Sequence, residues 1–323
     1  MARLRILVTG AAGLLGGRLA ERLASAHDVI AMRHHAPVPA GLTAVDADLL
    51  DLGTVERAVE TARPDAVLHS AALADADRCE AEPDLARRCN VEVSAEIARL
   101  CRVRGLRLIA LSTDLVLGGD VAFSAETEPA RPVLVYGRTK LAAEEAILGE
   151  SPGAVVLRVA LVIGRGYGPR ATASESVAAA LAAGRRPRLF DDQYRTPIDP
   201  ESVADAVGRV LQGAAAGLFH LGGAERLSRY ELGQRVAQVL GLRGPVERIS
   251  QASQSVRRPA DASLDSGRAR RELGWTPRPV DEAIRDDLLT SERGEKLVLG
   301  CPGRERSSAG ALDCDGDPRP RRL

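Results

Sequence analysis

Short apolar runs alternate with stretches of helical spacing through the first 165 residues of the chain. Strand-like runs lie at 4–9, 28–32, 66–70, 106–112 and 154–162, with helical segments at 14–26, 53–62, 83–103 and 136–148. The strand-like runs are apolar throughout, which is typical of parallel strands buried on both faces. The pattern therefore predicts an α/β fold built of βαβ units around a Rossmann-type, doubly wound parallel sheet.

The alternation of strand-like and helical stretches becomes less regular after Gly164, where a turn-rich stretch begins. Further helices are predicted at 174–184, 198–212, 228–240, 265–273 and 280–289, and one further strand at 217–221. Ser228 and Glu231 have the spacing of a capping box, which marks a helix start. We expect one domain over 1–164, to which 196–222 returns, and a smaller C-terminal α/β region over 165–195 and 223–290. Residues 291–323 lack periodicity and are rich in glycine, proline and serine, so we predict a disordered tail there.

Composition argues against several classes of partner. The 44 basic and 44 acidic residues give no net charge, whereas nucleic-acid binding usually requires a basic surface. No apolar run approaches the roughly 20 residues that span a bilayer, and the N-terminal apolar run is too short for a signal peptide. The 5 cysteines include no CxxC pair, which favours reduced thiols and no metal cluster. We therefore expect a cytoplasmic protein that binds neither nucleic acid nor membrane, and the pattern leaves open whether it forms a homodimer.

A glycine-rich turn, Gly10-Ala-Ala-Gly13-Leu-Leu-Gly16, joins the first predicted strand to the first predicted helix. Gly10 permits a tight turn, Gly13 lets the backbone approach a pyrophosphate, and Gly16 lets the helix pack on the strand. The N–H groups and the positive end of the helix dipole then face the phosphates. A tight turn without a ligand is the alternative, but the position between strand and helix favours a dinucleotide-binding site.

The end of the second strand bears on the choice between NAD and NADP. An NAD site usually carries an acidic residue about 20 residues after the glycine turn, where it binds the ribose 2′-hydroxyl. Here the strand ends Met-Arg33-His-His, and the guanidinium of Arg33 is suited to a 2′-phosphate. The sequence therefore favours NADP(H) over NAD(H), with a solvated surface arginine as the alternative interpretation of Arg33. We expect Asp48 and Leu49 beside the adenine and the two histidines in a solvated loop.

Two rare residue types fall at positions that could carry chemistry. Of the 44 basic residues only Lys140 and Lys296 are lysine, and Asn90 is the only asparagine. Tyr136 precedes Lys140 by four residues, so both lie on one face of a predicted helix. Because a nearby ammonium favours the phenolate, we expect Lys140 to lower the pKa of Tyr136 from about 10 toward working pH. Thr113, at the end of the fourth predicted strand, belongs to the same candidate constellation. The alternative interpretations are that the Thr113 hydroxyl is only packed at the strand end and that Asn90 bonds only within its helix.

Seven segments make the chain resemble the extended short-chain dehydrogenase/reductase family, and most of all its dTDP-4-dehydrorhamnose reductase branch. The resemblance covers about 1–290 and is carried by VTGAAGLLG (8–16), PDAVLHSAA (64–72), RRCNVE (87–92), LSTDLVLGG (111–119), ETEPARPVLVYGRTKLAAEE (126–145), RLFDDQYRTPIDPESVADAV (188–207) and RRPADASLDSGRARRELGWTPRP (257–279). It implies an NAD(P)-binding domain over 1–164 and a substrate-binding region over 165–195 and 223–290. It also implies an oxidoreductase that acts on a keto group of a nucleotide-sugar in dTDP-rhamnose biosynthesis, with hydride from the nicotinamide.

The resemblance assigns roles to individual residues. Tyr136 would donate a proton to the substrate carbonyl oxygen, and Lys140 would orient the ribose and lower the Tyr136 pKa. Thr113 would bind the reacting oxygen, and Asn90 would hold a proton-relay water. The implied cofactor-binding positions are Gly10, Ala12, Gly13, Leu14, Leu15, Gly16, Arg33, Asp48, Leu49, Ala71, Ala72, Tyr136 and Lys140. The implied substrate-binding positions are Thr113, Asp114, Tyr136, Arg195 and Arg258, with Arg257 a weaker candidate.

The chain also departs from the pattern of the branch near the sugar site. Leu115 and Leu117 stand where the branch usually has aromatic residues, so the exact sugar stays open. Arg195 is suited to a bidentate contact with the diphosphate, and a surface loop arginine is the alternative. A nucleotide-sugar epimerase or dehydratase would share the Tyr–Lys pair but would usually carry an acidic residue after the second strand. A non-catalytic, cofactor-binding regulatory subunit is the third interpretation.

Overall fold

Seven parallel strands form one sheet at the centre of the molecule. The structure is a computed structural model that describes residues 3–253 and 258–289. The strands of the sheet are β1 (Arg5–Thr9), β2 (Asp28–Arg33), β3 (Thr43–Asp46), β4 (Ala66–His69), β5 (Arg107–Thr113), β6 (Val155–Val159) and β9 (Gly217–Leu221). Their order is β3-β2-β1-β4-β5-β6-β9, and every neighbouring pair is parallel. The predicted Rossmann-type doubly wound sheet is confirmed.

The strand order reverses between β1 and β4, and this reversal positions the site. β1 is followed outward by β2 and β3, after which the chain crosses to place β4 on the other side of β1. In the register of these two strands Thr9 lies beside His69, so the turns that follow β1 and β4 open at the same sheet edge. In open α/β sheets, ligands bind in the crevice at such a switch point.

Helices cover both faces of the sheet. They are α1 (Leu14–Leu23), α2 (Leu52–Ala62), α3 (Ala76–Ala81), α4 (Pro83–Arg87), α5 (Val93–Arg104), α6 (Val135–Glu150), α7 (Ala173–Ala182), α8 (Pro200–Gln212), α9 (Arg229–Val239), α10 (Gly267–Leu273) and α11 (Val280–Leu289). One apolar cluster joins the sheet to α1, α8 and α10, and includes Leu19, Val203 and Trp275. A second cluster joins the opposite face to α2, α5 and α6, and includes Val55, Ile97 and Ile147. Both faces of the central strands are therefore buried, as their continuous apolar sequence predicts.

The C-terminal part of the chain adds two small strand pairs and a third apolar cluster. β7 (Arg188–Phe190) pairs with β11 (Glu247–Ile249), and β8 (Tyr194–Arg195) pairs with β10 (Leu227–Ser228). The third cluster joins α7, α9 and α11. Ser228 caps α9 through the predicted capping box, because its hydroxyl accepts from Glu231 N at 3.1 Å and its own N–H donates to Glu231 Oε2 at 2.7 Å. The pairing of β9 with β6 supports our proposal that 196–222 returns to the first domain.

The short elements α3, β7, β8, β10 and β11 were not predicted from the sequence, and two further differences bear on the site. β3 was not predicted, because its four residues read Thr-Ala-Val-Asp and lie mostly exposed at the sheet edge, without an apolar run. The helix predicted over 83–103 is interrupted by a π-helical turn at Arg88–Glu92, which contains Asn90. Such turns often occur at functional sites.

Some predictions concern parts of the chain that the structure does not describe. The predicted tail at 291–323 and the weaker candidate Arg257 lie outside the described residues. Within the described residues, no helix is both long enough and apolar enough to cross a bilayer.

Candidate active site

The glycine turn after β1 depends on two residues without a side chain. Gly10 has a φ of +69°, a left-handed conformation that glycine adopts readily. A Cβ atom on Gly10 would lie 2.7 Å from the backbone nitrogen of Ala71. A Cβ atom on Gly16 would lie 2.3 Å from the carbonyl oxygen of Gly10. The tight turn and the close approach of α1 to the strand therefore both require glycine.

The first turn of α1 leaves its backbone N–H groups without a side-chain cap. Gly13 occupies the N-cap position, and no acidic residue lies in the first turn. By contrast, Asp51 caps α2, and Asp199 caps α8, each through its carboxylate. Uncapped N–H groups at a helix N-terminus form a site for an anion. This turn therefore fits the pyrophosphate of a dinucleotide.

A cavity of about 340 Å³ opens beside the glycine turn. It is lined by Gly10, Ala12, Met32, Arg33, His34, His35, Ala36, Ala47 and Leu49. Four of the predicted cofactor-binding residues therefore share one cavity. Asp48, the fifth residue predicted near this position, is not in the lining, and its Oδ1 accepts from the N–H of Leu50 at 2.9 Å. The apolar side chains in the lining suit an adenine, and Arg33 stands at the same wall.

Arg33 is already paired with a carboxylate that was not predicted from the sequence. Its Nε donates to Asp46 Oδ1 at 2.6 Å, because the β2–β3 register places the two residues side by side. Only the prediction of β3 could have revealed this pair. The two side chains are 44% and 71% exposed, and exposed pairs of this kind contribute little stability. A phosphate can therefore compete with Asp46 for Arg33.

Tyr136, Lys140 and Thr113 come together where α6 passes the carboxyl end of β5. Nζ of Lys140 donates to the carbonyl oxygen of Leu111 at 2.9 Å. The Thr113 hydroxyl is within hydrogen-bonding reach of Tyr136. Lys140 and Thr113 are buried, and Tyr136 is half-buried. Three of the four predicted catalytic residues therefore lie where α6 packs against the end of β5.

Burial sets the proton affinities at this point. Burial raises the pKa of Tyr136 well above its usual range, the Asp114 carboxylate raises it further, and the hydrogen bond with Thr113 lowers it. The expectation that Lys140 brings this pKa down is wrong for the protein alone, because desolvation of the phenolate dominates. Burial also lowers the pKa of Lys140 to about 8, while Glu144 raises it. At neutral pH the site therefore holds a protonated phenol near an ammonium ion.

A buried hydrogen-bond chain joins the glycine turn to the π-helical turn. The Thr9 hydroxyl accepts from the N–H groups of Ser70 and Ala71, both at 3.2 Å, so it donates to His69 Nδ1 at 2.8 Å. His69 Nε2 then carries the proton and donates to the Ser94 hydroxyl at 2.9 Å. Burial lowers the pKa of His69 to about 3, and Lys140 lowers it further, so the ring is neutral.

Asn90, the fourth predicted catalytic residue, continues this chain. Its carbonyl oxygen accepts from the Ser94 hydroxyl at 2.6 Å. Its side-chain amide accepts from Leu73 N at 2.8 Å and donates to Leu73 O at 3.2 Å and to Thr139 Oγ1 at 3.0 Å. The Thr139 hydroxyl in turn donates to the carbonyl oxygen of Tyr136 at 2.9 Å. The Asn90 amide therefore fixes the turn after β4 against α6, and its relay water remains a prediction.

A buried ion pair supports α6 one turn beyond Lys140. Nη2 of Arg158 donates to Glu144 Oε2 at 2.7 Å, and both side chains are at most 5% exposed. Glu144 also accepts from the Ser112 hydroxyl. Nη1 of Arg158 lies 3.2 Å from Nε2 of His220, and burial lowers the pKa of His220 to about 4. This network was not predicted from the sequence, because its members are far apart along the chain.

Two of the predicted substrate-binding residues, Arg195 and Asp114, form a buried ion pair directly after Thr113. Nη1 of Arg195 donates to Asp114 Oδ2 at 2.5 Å, and the two side chains are 11% and 3% exposed. Arg258 is more exposed and pairs with Asp77 of α3 at 3.2 Å. Tyr194, next to Arg195, lies under the guanidinium of Arg226 at 3.6 Å. The residues next to the Arg195–Asp114 pair thus include one aromatic ring that is stacked on a guanidinium.

Residues 4–292 match the family described as RmlD substrate binding domain. The chain belongs to this family. A probable low-salt glycan biosynthesis reductase of Haloferax volcanii is 30% identical, over 88% of this chain and 96% of that protein. The dTDP-4-dehydrorhamnose reductase of Mycolicibacterium smegmatis is 33% identical, over 87% of this chain and 84% of that protein. Methionine adenosyltransferase 2 subunit beta of Mus musculus is 28% identical, over 91% of each chain.

Solved structures show the same fold. The dTDP-4-dehydrorhamnose reductase of Bacillus anthracis, in complex with NADP, has a TM-score of 0.78 at 21% identity and covers 89% of this chain and 98% of its own. The UDP-glucose 4-epimerase of Thermus thermophilus, in complex with NAD, has a TM-score of 0.76 at 27% identity, with coverages of 88% and 97%. The predicted membership of the extended short-chain dehydrogenase/reductase family, in its RmlD-like branch, is confirmed. With it, the chain is identified as a nicotinamide-dependent oxidoreductase.

Proposed function

We propose that the chain is an NADP(H)-preferring reductase of a 4-keto-6-deoxy nucleotide-sugar. The observation that carries the proposal is the grouping of Thr113, Tyr136 and Lys140 at the carboxyl end of β5, on the same sheet edge as the glycine turn. The similarity to proteins named dTDP-4-dehydrorhamnose reductase supports the substrate class. Because the sequence favours reduced thiols and the reaction uses water-soluble metabolites, the proposal includes a cytoplasmic location.

The residues present fit a dinucleotide. The uncapped first turn of α1, with Gly13 at its N-cap, would hold the pyrophosphate. The cavity beside it would hold the adenosine, with Leu49 against the base and Arg33 at the 2′-phosphate. Lys140 would bind the ribose of the nicotinamide half. The preference for NADP(H) rests on Arg33, whose guanidinium can exchange the exposed Asp46 carboxylate for a phosphate.

The proposed mechanism divides the reduction between cofactor and protein. When bound, the reduced nicotinamide supplies the hydride that adds to the substrate carbonyl carbon. Tyr136 donates its phenolic proton to the carbonyl oxygen, and its raised pKa keeps it protonated until that moment. The Thr113 hydroxyl binds the same oxygen and orients the substrate. The Lys140 ammonium stabilises the phenolate that remains on Tyr136.

Proton return to Tyr136 is a further part of the proposal. The relay water would lie near the π-helical turn, at the buried backbone carbonyl of Asn90, which already accepts a hydrogen bond from the Ser94 hydroxyl. The Asn90 amide would act indirectly, because its bonds to Leu73 and Thr139 hold the catalytic helix in place. We therefore assign Asn90 a positioning role in addition to the predicted relay.

A second candidate is a non-catalytic, cofactor-binding subunit. The similarity to methionine adenosyltransferase 2 subunit beta over 91% of the chain favours it, as do the leucines at the aromatic positions of the branch. An epimerase or dehydratase is a third candidate, favoured by the fold shared with UDP-glucose 4-epimerase. The two catalytic candidates differ in their use of cofactor, since an epimerase regenerates its cofactor in every turnover and a reductase consumes NADPH.

The deciding experiment follows NADPH absorbance with purified protein and a panel of dTDP-4-keto-6-deoxy sugars. We expect oxidation of NADPH with at least one sugar. Tyr136→Phe should lower kcat by roughly 100- to 10,000-fold, the usual contribution of general acid catalysis. Tyr230→Phe, which removes a hydroxyl that accepts from Gln234 on the surface of α9, is the matched control and should keep full activity.

The outcomes separate the candidates. Full turnover by Tyr136→Phe would refute the assigned proton donor. NADPH binding without oxidation of any sugar would favour the regulatory subunit. For the cofactor, Arg33→Ala should weaken NADPH binding far more than NADH binding, while Arg57→Ala, an exposed arginine on α2, should change neither. Equal weakening of both cofactors would contradict the 2′-phosphate contact.

A further inference from the structure

One guanidinium beside the catalytic residues has a buried nitrogen that forms no hydrogen bond. Nη1 of Arg229 is buried and forms no hydrogen bond, and only one other side-chain atom, Nε of Arg18, shares this state among the described residues. A buried cationic N–H without an acceptor is costly, so such groups are rare in native proteins. Arg18 differs because its other nitrogens lie next to Glu21 and Glu201.

The charges around Arg229 make its position still less favourable for the free protein. Burial lowers the pKa of Arg229 to about 10, the nearby cations Arg195 and Arg258 lower it further, and Asp114 raises it. The carboxylate of Asp114 is already bonded to Arg195 at 2.5 Å. Among the described residues, Arg258 pairs only with the exposed carboxylate of Asp77. Three guanidinium groups therefore share one buried carboxylate, which leaves an excess of positive charge.

The fold places this excess charge beside the reaction centre. Arg229 opens α9, and its N–H donates to the carbonyl oxygen of Gln193 at 3.0 Å, next to the β8–β10 pair. Asp114 directly follows Thr113 in the sequence, and Thr113 lies beside Tyr136 in space. A negatively charged ligand bound here would thus lie on the substrate side of the site. It would give Nη1 of Arg229 the acceptor that the protein does not supply.

We propose that Arg229 is a specificity-determining residue that binds the diphosphate of the substrate together with Arg195 and Arg258. The inference deepens the proposed function and rests on it for the identity of the substrate. A diphosphate fits because it brings several acceptor oxygens and two or more negative charges to a cluster with surplus cations. A neutral sugar would leave both the charge and the Arg229 nitrogen uncompensated.

The test combines binding and stability, with NADPH at saturation so that the dinucleotide site is filled. Calorimetry measures the affinity of dTDP, and of thymidine as the probe without phosphate. Arg229→Met should weaken dTDP roughly 10- to 100-fold, the usual range for hydrogen bonds to a charged group, and should leave thymidine unchanged. Without dTDP, the same variant should have a higher melting temperature than the wild type, because an unpaired buried charge is removed. A residue that only supports the fold would lower the melting temperature instead.

Two further variants keep the result decisive. Arg243→Gln removes the same charge from an exposed position and should bind dTDP as the wild type does. Arg229→Lys keeps the charge without the planar fork, and should bind dTDP with intermediate affinity even if the methionine variant does not fold. Affinity for dTDP within twofold of wild type in both Arg229 variants would overturn the inference.

The result can be distinguished from a failure of the proposed function. If no keto sugar is reduced but dTDP binding still depends on Arg229, the diphosphate site stands and the proposed reaction is refuted. If NADPH is oxidised with a sugar and Arg229→Met leaves the KM for that sugar unchanged, the reaction stands and the role of Arg229 is refuted.

Discussion

The buried ion pair between Glu144 and Arg158 allows a quantitative prediction. The Glu144 carboxylate accepts from Arg158 Nε at 3.0 and 3.1 Å, from its Nη2 at 2.7 Å, and from the Ser112 hydroxyl. Arg158 has no other carboxylate among its described contacts, and its side chain is 4% exposed. In Glu144→Gln the guanidinium therefore keeps its charge in a dry site without a counterion. Removal of one partner from such a pair costs about 3–5 kcal/mol.

The assay is urea unfolding followed by circular dichroism at pH 7. We expect Glu144→Gln to lower the free energy of unfolding by about 3–5 kcal/mol. Glu145→Gln, at the adjacent exposed position, is the matched control and should change it by less than about 0.5 kcal/mol. The double variant Glu144→Leu with Arg158→Met removes both charges and should recover much of the loss, since apolar replacement of a whole buried pair is often neutral.

The same variant should also alter the pH dependence of turnover. Glu144 raises the pKa of Lys140, which burial lowers to about 8. Without the carboxylate, Lys140 should lose its proton at a lower pH, so the alkaline limb of the kcat profile should move toward neutrality. A free energy of unfolding for Glu144→Gln within about 1 kcal/mol of the Glu145→Gln value would show that the pair carries little energy and would refute the reasoning.

Three further predictions follow from the buried and exposed charges. Burial lowers the pKa of Lys140 from 10.5 to about 8, which corresponds to about 3 kcal/mol of destabilisation of the charged form. Lys140→Met should therefore have a larger free energy of unfolding than the wild type at pH 7, although it loses activity. That gain should shrink between pH 8 and 10.5, where the unfolded wild type still binds the proton and the folded wild type does not, and a constant gain would contradict it. Asp46→Asn should free Arg33 and raise the ratio of kcat/KM for NADPH to that for NADH; an unchanged ratio would contradict a contact of Arg33 with the 2′-phosphate. Burial lowers the pKa of His220 from 6.5 to about 4, so the unfolded state binds a proton first and stability should fall as the pH drops from 6.5 to 4, with a shallower fall in His220→Gln measured by thermal unfolding.

The local parts of the site could be predicted because their information lies within a few residues. Gly10 and Gly16 are dictated by a left-handed turn and a close backbone contact that no side chain would fit. Tyr136 and Lys140 share a helix face because they are one turn apart. The rarity of lysine in this chain made Lys140 more informative than the two-residue motif alone.

The missed parts depend on residues that the chain brings together from a distance. Asp46 reaches Arg33 only through the register of an edge strand whose sequence has no apolar run. The predicted direction of the shift in the Tyr136 pKa was wrong. The helical spacing to Lys140 is visible in the sequence, whereas the desolvation of the phenol is not. Arg229 is one of 42 arginines, and nothing local marks it as the one whose nitrogen is buried without an acceptor.

The sequence by itself determined the parallel α/β fold, the phosphate-binding turn and the identity of the Tyr–Lys pair. These follow from apolar periodicity, from the steric needs of glycine and from helix geometry, all of which act over one or two turns of chain. Only the tertiary structure decided which charges are paired, which are buried and which face the site. Ion pairs such as Arg195–Asp114 join residues 81 positions apart, and their effect depends on how much water the surrounding fold excludes.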